Sequence, residues 1–343
     1  MTDLIKNIIE RLIEKNDLSF TEAYELMTEI MEGSVSDTNI SAILISLKSK
    51  GESSEEIAGF AKAMRDKCVK ISCNTENTID VCGTGGDYSG TFNISTAVAF
   101  TVAGAGVNVA KHGNRSISSK SGSADVIQEL GININLKPEQ SEKALSEIGI
   151  AFLFAPIFHP AMRYAANVRR ELGIKTVFNM LGPLTNPAGV KKQIIGTFSR
   201  QAAKKMAESA RFLEFEHVCF LCSDDKYDEI FLGDKTDIYE YEEGKRIKSF
   251  SVDSNTFNYP TISPNDIKGS TPEGNAKIIE DVFSGRRNSA AFNTIVANSA
   301  LALYSAGYSN DLITCKEAAE DSIKSGAAMN KVAQLRRFCI SNT

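Results

Sequence analysis

Asp80-Val-Cys-Gly83-Thr-Gly-Gly86-Asp87-Tyr-Ser-Gly90-Thr91-Phe-Asn93-Ile-Ser95-Thr96 joins a short apolar run to a helical one. Thr78 to Cys82 reads as a strand, and Ser95 to Ala103 as a helix. Between them, the glycines admit positive φ and, lacking Cβ, let a ligand touch the backbone. Free N–H groups at the start of the next helix favour an anion. Hydroxyls at Thr91, Ser95 and Thr96 add donors. The loop has the chemistry of a phosphate or diphosphate cradle; a tight turn with an ordinary N-cap is the structural alternative. It is not a Walker A loop, since no Gly-Lys-Ser/Thr follows. Nor is it GxGxxG, since Tyr88 stands at the third glycine of that spacing.

The same alternation continues downstream. Val107–Ala110 and Ala151–Phe154 read as strands, with helices at Ala124–Leu130, near Ser141–Ile148 and at Ala161–Leu172. Ile194–Phe198 and His217–Leu221 are further strands around a helix at Ala202–Leu213. Strands alternating with helices imply a mainly parallel sheet covered on both faces. Ile238 to Val252 reads as a hairpin turning at Glu243-Gly-Lys245, and Asn255 to Asn275 as loop. The tail reads as helices at Ala276–Phe283, Ala290–Ala306 and Cys315–Ile340. Upstream, the first ~70 residues read as helices only. Leu4, Ile5, Ile8, Ile9, Leu12 and Ile13 fall on one helical face. Ser19-Phe-Thr-Glu22 and Ser53-Ser-Glu-Glu56 are capping boxes, and Asp37 to Lys50 is a helix stopped by Gly51. The expected fold is α/β: a small N-terminal α-helical domain over 1–72, then a larger α/β domain over 73–343 with a mainly parallel central sheet flanked by helices.

At 343 residues the chain is long enough for about two domains, which fits that division. Hydrophobic residues at 42% supply a core without disulfide or metal staples. A net charge of −5 argues against a general nucleic-acid binder. No stretch reaches the ~18 apolar residues of a membrane helix; Thr96–Ala110 is broken by Thr101, Gly104, Gly106 and Asn108. The N-terminus lacks a signal-peptide layout. Seven scattered cysteines form no disulfide framework. Cys219 and Cys222, inside an apolar run, read as buried strand cysteines and not as a metal or redox pair. A reducing, cytoplasmic location is expected.

Three more segments carry chemistry. Lys111-His-Gly-Asn-Arg115-Ser-Ile-Ser-Ser-Lys120-Ser-Gly-Ser-Ala-Asp125 offers three cations, many hydroxyls and two glycines between a strand and a helix, as a polyanion site would. Both loops leave strands of one expected sheet, so they converge at its carboxyl edge, where open α/β sheets bind ligands. Ser223-Asp-Asp-Lys-Tyr227-Asp228-Glu229-Ile230 follows another strand; its carboxylates suit Mg²⁺ against a diphosphate, and the spacing does not choose among them. Asn167-Val-Arg169-Arg170 on a helix offers a guanidinium to a carboxylate. The alternatives are solvated polar turns and a solvated helix face.

Asp80–Asp87, Thr91–Thr96, Lys111–Arg115 with Ser118–Asp125, and Asn179-Met-Leu-Gly182-Pro-Leu-Thr-Asn186-Pro-Ala188, in this order, resemble the anthranilate phosphoribosyltransferases of tryptophan biosynthesis. The resemblance covers about residues 3 to 340. It implies a pentosyltransferase of the nucleoside phosphorylase-like fold that joins anthranilate to phosphoribosyl pyrophosphate (PRPP). The active site would lie between the domains, and a homodimer would form through the helical ones. A helical segment of about 160–190 would pack on the N-terminal domain. PRPP would be bound by Gly83, Gly86, Asp87, Thr91, Asn93, Ile94, Ser95, Thr96 and Lys111, by His112, Gly113, Asn114, Arg115, Ser116, Ile117, Ser118 and Ser119, and by Ser123. Ser95, Asp228 and Glu229 match the Mg²⁺ positions. Asn114 and Arg169 match the anthranilate positions, with Gly83, His112, His159 and Gly182 lining that pocket. A protonated aryl amine is a strong acid, so no dedicated acid–base residue is expected.

The chain departs from the family pattern at Lys226-Tyr227, where Gly-Leu is usual, at Lys175 for arginine, and at Phe231 for a small polar residue. Neither a nucleic-acid nor a membrane partner is expected. The rival readings are a nucleoside phosphorylase of the same fold, a transferase for another aromatic acid, and a non-enzymatic nucleic-acid-binding relative. The last needs a broad basic surface, which the net charge disfavours.

Overall fold

The computed structural model describes residues 2–86, 89–115, 121–286 and 289–342. Four helices open the chain: Thr2–Ile13, Phe20–Met31, Asp37–Lys50 and Ser54–Asp66. Both capping boxes form. The Ser19 hydroxyl accepts from the Glu22 N–H at 3.3 Å, and Glu22 accepts from the Ser19 N–H at 2.9 Å. Ser53 and Glu56 repeat the exchange at 3.2 and 2.7 Å. Gly51 ends the third helix at φ +87°. Among the described side chains of the first helix, Ile5, Ile8 and Leu12 are the buried ones. Leu4 and Ile13 lie at the edges of that face and are 58% and 66% exposed, which narrows the expected stripe.

Among the described residues, seven strands follow: β1 (Thr78–Gly83), β2 (Asn108–Gly113), β3 (Ile150–Phe154), β4 (Lys192–Gly196), β5 (His217–Ser223), β6 (Thr236–Glu242) and β7 (Lys248–Val252). They form one sheet in the order β3-β2-β1-β4-β5-β6-β7. β3 through β5 of that order are parallel, and β6 and β7 add an antiparallel edge. The architecture is thus α/β, with a helical bundle preceding a mainly parallel sheet flanked by helices.

Strand alternation divides the core. Ile194, Cys219 and Leu221 face one hydrophobic cluster, with Phe92, Phe100 and the Ser289–Ala306 helix. Ile195, Val218 and Phe220 face a second, shared with the N-terminal helices, Ala165, Val168, Phe178, Leu181 and the Arg200–Ser209 helix. Cys219 and Cys222 are buried thiols. Among the described residues no helix is long and apolar enough to cross a membrane.

Several boundaries differ from the sequence reading. The helix expected over 161–172 begins as a 3₁₀ turn, Pro160–Met162, before Arg163–Leu172. Asn255–Asn275 is not wholly loop: it holds two 3₁₀ turns and the start of the Pro272–Phe283 helix. Thr271 caps that helix, and Pro272 occupies its first position, where proline is favoured. The expected tail helix is two, Leu312–Lys324 and Ala327–Ser341, separated at Gly326 with φ +81°.

Candidate active site

Strand order reverses between β1 and β4, and loops leaving such a pair part to open a crevice. β1 ends at Gly83 and β4 at Gly196, register partners in the sheet. The turn after β5 folds over both. A Cβ on Gly83 would lie 2.5 Å from Asp228 Oδ2, and one on Gly196 only 1.6 Å from the Asp228 carbonyl oxygen. Two hydrogen atoms in place of side chains therefore let the acidic turn sit on the strand ends. The Gly85 N–H donates to Asp228 Oδ2 at 3.1 Å, and the Thr91 hydroxyl lies 3.5 Å from Glu229 Oε1. Gly85 and Gly86 have φ of +62° and +69°, and nothing lies within 4 Å of a Cβ built on Gly85. Among the described residues, the space beside Gly85 is open, as backbone without a Cβ allows.

The acidic turn is held from behind. Ser223 Oγ donates to the Glu229 carbonyl at 2.5 Å, and Asn298 pairs with both backbone groups of Ile230 at 2.9 and 3.0 Å. Two of the family departures explain one another: the Tyr227 ring stacks on Phe231 with centroids 4.5 Å apart, and both are buried. Lys226 lies over the Tyr227 ring at 5.0 Å, and Lys175 over Phe198 at 4.5 Å.

Lys111 and Asp80 are buried beneath this edge. The Lys111 ammonium donates to the Val81 carbonyl at 2.7 Å and to Ser95 Oγ at 3.2 Å. Burial pushes the lysine down and the aspartate up, and each opposes the other's shift through its charge. The rings of His112 and His159 lie 5.1 Å apart. One nitrogen of His112 bonds the Gly182 backbone, and one of His159 bonds that of Thr185. Both Nε2 atoms are buried without a partner. Burial holds His112 at about 3, helped by the neighbouring His159, and holds His159 at about 4, so both imidazoles are neutral at ordinary pH. Arg169 lies over Phe178 at 5.0 Å, and burial alone lowers its pKa. It has no carboxylate partner among the described residues. The planar fork of a guanidinium matches carboxylate geometry.

The carboxyl edge thus gathers backbone N–H groups, hydroxyls and carboxylates, and Arg169 and the two imidazoles are set on the segments next to it. The described family "Glycosyl transferase family, helical bundle domain" matches residues 6–68, and "Glycosyl transferase family, a/b domain" matches 75–329. The anthranilate phosphoribosyltransferase of Desulfosudis oleivorans is 42% identical over 339 residues, spanning 99% of this chain and 100% of that protein. That of Caldanaerobacter subterraneus is 44% identical, spanning 97% of each. This chain belongs to the anthranilate phosphoribosyltransferase family. Among solved structures, the Thermus thermophilus enzyme superposes with a TM-score of 0.90 at 34% identity, covering 97% of this chain and 99% of that one. The Saccharomyces cerevisiae enzyme, solved with PRPP and Mg, has a TM-score of 0.90 at 26% identity over 98% of each.

Of the positions the anthranilate phosphoribosyltransferase resemblance points to, Gly83, Thr91, Ser95, Lys111, Asp228 and Glu229 meet at the carboxyl edge. Arg169, Gly182, His112 and His159 form a second, contiguous group through Phe178 and the Gly182 backbone. Others have different partners. Arg115 pairs with Asp125 at 2.5 Å. Asn93 is bonded to Ser121 and Asn275. Ile94 and Thr96 are buried, the latter with its hydroxyl unpartnered. Ser123 Oγ donates to the exposed Asn114's carbonyl at 3.3 Å, and a Cβ on Gly113 would strike Ser123. Asp87, Ser116, Ile117, Ser118 and Ser119 lie outside the described residues.

Sequence reasoning missed Asn298, Asn275 and Arg65. Arg65 is half-buried, lowered to about 10 by desolvation, and donates to the Leu184 carbonyl at 2.7 Å, tying the N-terminal helices to the 182–188 segment. Nothing in their local sequence marks them, because each acts on a residue distant in the chain.

Proposed function

We propose that this protein transfers the phosphoribosyl group of PRPP to the amine of anthranilate, giving N-(5-phosphoribosyl)anthranilate and pyrophosphate in tryptophan biosynthesis. The observation that carries the reading is the seating of Asp228–Glu229 on the glycine loop at the switch point, through Gly85 and Thr91. The family of the chain supports the same reaction. The amine nitrogen forms a bond to ribose C1 as the C1–oxygen bond to diphosphate breaks, and the electron pair leaves with the diphosphate. The glycine-loop amides and Lys111 hold the diphosphate, an electrostatic role. Arg169 holds the anthranilate carboxylate and aims its amine, a proximity role.

Ser95, Asp228 and Glu229 are hard oxygen donors beside the loop, which suits Mg²⁺. Bound there, the ion supplies charge neutralisation for the diphosphate. His112 and His159 are too weakly basic to act as strong general bases, and the acidic anilinium proton is lost to water without one; their lone pairs accept a hydrogen bond from the amine.

We further infer that the chain divides near residue 72, consistent with the limits of the two matching families, and that it works as a homodimer through the N-terminal helices. Exposed Leu4 and Ile45 on two of those helices support the second point, and light scattering tests it. Seven cysteines, none in a disulfide, support a cytoplasmic location.

The test follows anthranilate fluorescence with purified protein, PRPP and Mg²⁺, with and without EDTA. A Mg²⁺-dependent loss proportional to protein is expected. No loss from folded protein that still binds PRPP would replace anthranilate with another aromatic acid. No loss and no binding would overturn the reading.

A further inference from the structure

We propose that Asp80 is a positioning residue for the transfer: a buried carboxylate that locks the aromatic-acid side of the site to the strand carrying the diphosphate loop. The inference rests on the function proposed above and adds a residue to it. Asp80 lies on β1, between β2 and β4, and is fully buried. Its Oδ1 accepts from the His112 backbone N–H at 3.1 Å. Its Oδ2 accepts from Asn186 Nδ2 at 2.8 Å and from Gln193 Nε2 at 3.1 Å. The same two amides continue outward. Asn186 Nδ2 also donates to the Ala110 carbonyl at 2.8 Å, and Gln193 Nε2 to that of Pro183 at 3.1 Å. Asn186 Oδ1 accepts from the Ala188 N–H at 2.8 Å.

One carboxylate thereby fixes three pieces of chain. β1 runs three residues on to Gly83 and the diphosphate loop. His112 carries the imidazole that bonds Gly182. Asn186 and Gln193 hold the 183–188 stretch beneath that pair. Its three N–H partners and the Cys82 thiol are all donors, so the oxygens are read as acceptors and the group as ionised, with buried Lys111 as its counter-charge. An amide cannot replace it. Asparagine offers one acceptor, so either the His112 N–H or the two side-chain amides would face its NH₂. The relative placement of the two substrates then loses its fixed point, and a misplacement of ~1 Å can cost about 100-fold in rate.

The experiment measures kcat and both KM values for Asp80→Asn, Asn186→Leu, the double variant and a destabilising control in the edge strand, Val252→Ala. Asn186→Leu is expected to raise the anthranilate KM by about tenfold or more while the PRPP KM stays within about twofold. The double variant is expected to lose no more kcat/KM than the worse single variant, because both cut one unit. Val252→Ala is expected to lower the urea midpoint without splitting the KM values. Losses that multiply in the double variant, or equal rises in both KM values, would overturn the proposal. Should Asp80→Asn fail to fold, the KM split of Asn186→Leu decides. Inactive wild-type protein overturns the function and this role together, whereas active wild type with unsplit variants overturns this role alone.

Discussion

Replacing Gly196 by alanine puts a methyl carbon 1.6 Å from the Asp228 carbonyl oxygen. A relaxed C···O contact needs about 3.3 Å, so one side must retreat by roughly 1.7 Å. β4 cannot supply that movement. It is paired with β1 on one side and β5 on the other, and the Gly196 carbonyl accepts from the Thr84 N–H at 2.8 Å. The turn over it is exposed at Asp224–Lys226 and yields instead, carrying Asp228 and Glu229 away from Gly85 and Thr91. Overpacking of this kind costs about 1–3 kcal/mol of stability. The functional loss is larger, because displacement of charged groups by ~1 Å costs on the order of 100-fold in rate. Gly196→Ala should therefore fold, lose about 100-fold in kcat/KM, and need more Mg²⁺ for half-maximal rate. Initial rates of anthranilate fluorescence loss across a Mg²⁺ titration, with urea unfolding alongside, measure both effects. A variant within about threefold of wild type whose Mg²⁺ titration overlays it would refute the argument that the acidic turn is seated by the missing Cβ.

Arg169→Ala should raise the anthranilate KM by about tenfold or more and leave the PRPP KM unchanged, with Arg169→Lys restoring only part; steady-state kinetics with each substrate varied check this. Asp228→Asn with Glu229→Gln should mainly lower kcat and weaken Mg²⁺ dependence, and unchanged kinetics would remove both carboxylates from the site. His112 and His159 sit at about 3 and about 4 in the folded protein, against about 6.5 unfolded. In that window the unfolded chain binds more protons, so their contribution is whole above about pH 6.5 and fades as pH falls toward the folded values. From pH 7 to 5 the loss is on the order of 2 kcal/mol per histidine. Urea midpoints across that range measure it, and a His112→Asn/His159→Asn variant with the wild-type slope would contradict the assignment.

Features made by neighbouring residues were legible in the sequence. The capping boxes at Ser19 and Ser53, the stop at Gly51 and the glycine loop after β1 rest on bonds that reach only a few residues. The parallel sheet was legible too, since strand and helix periods alternate along the chain. The break at Gly326 was also local and available, because glycine inside a helix costs about 1 kcal/mol relative to alanine. So was the Thr271-Pro272 helix start, hidden within a polar stretch.

Other features exist only once the strands are ordered. Gly196 looks like an ordinary strand end until β4 lies under the β5 turn. Asp80 reads as one polar residue in an apolar run until β2 and β4 bring His112, Asn186 and Gln193 to its two oxygens. The Tyr227–Phe231 stack turned two departures from the family pattern into one packed unit. The neutrality of His112 and His159 is likewise a property of burial, which no local pattern records. The physical division is one of range: hydrogen bonds and periodicity within a turn or two are written in adjacent residues, whereas desolvation, steric seating and shared buried charges depend on residues that only packing makes neighbours.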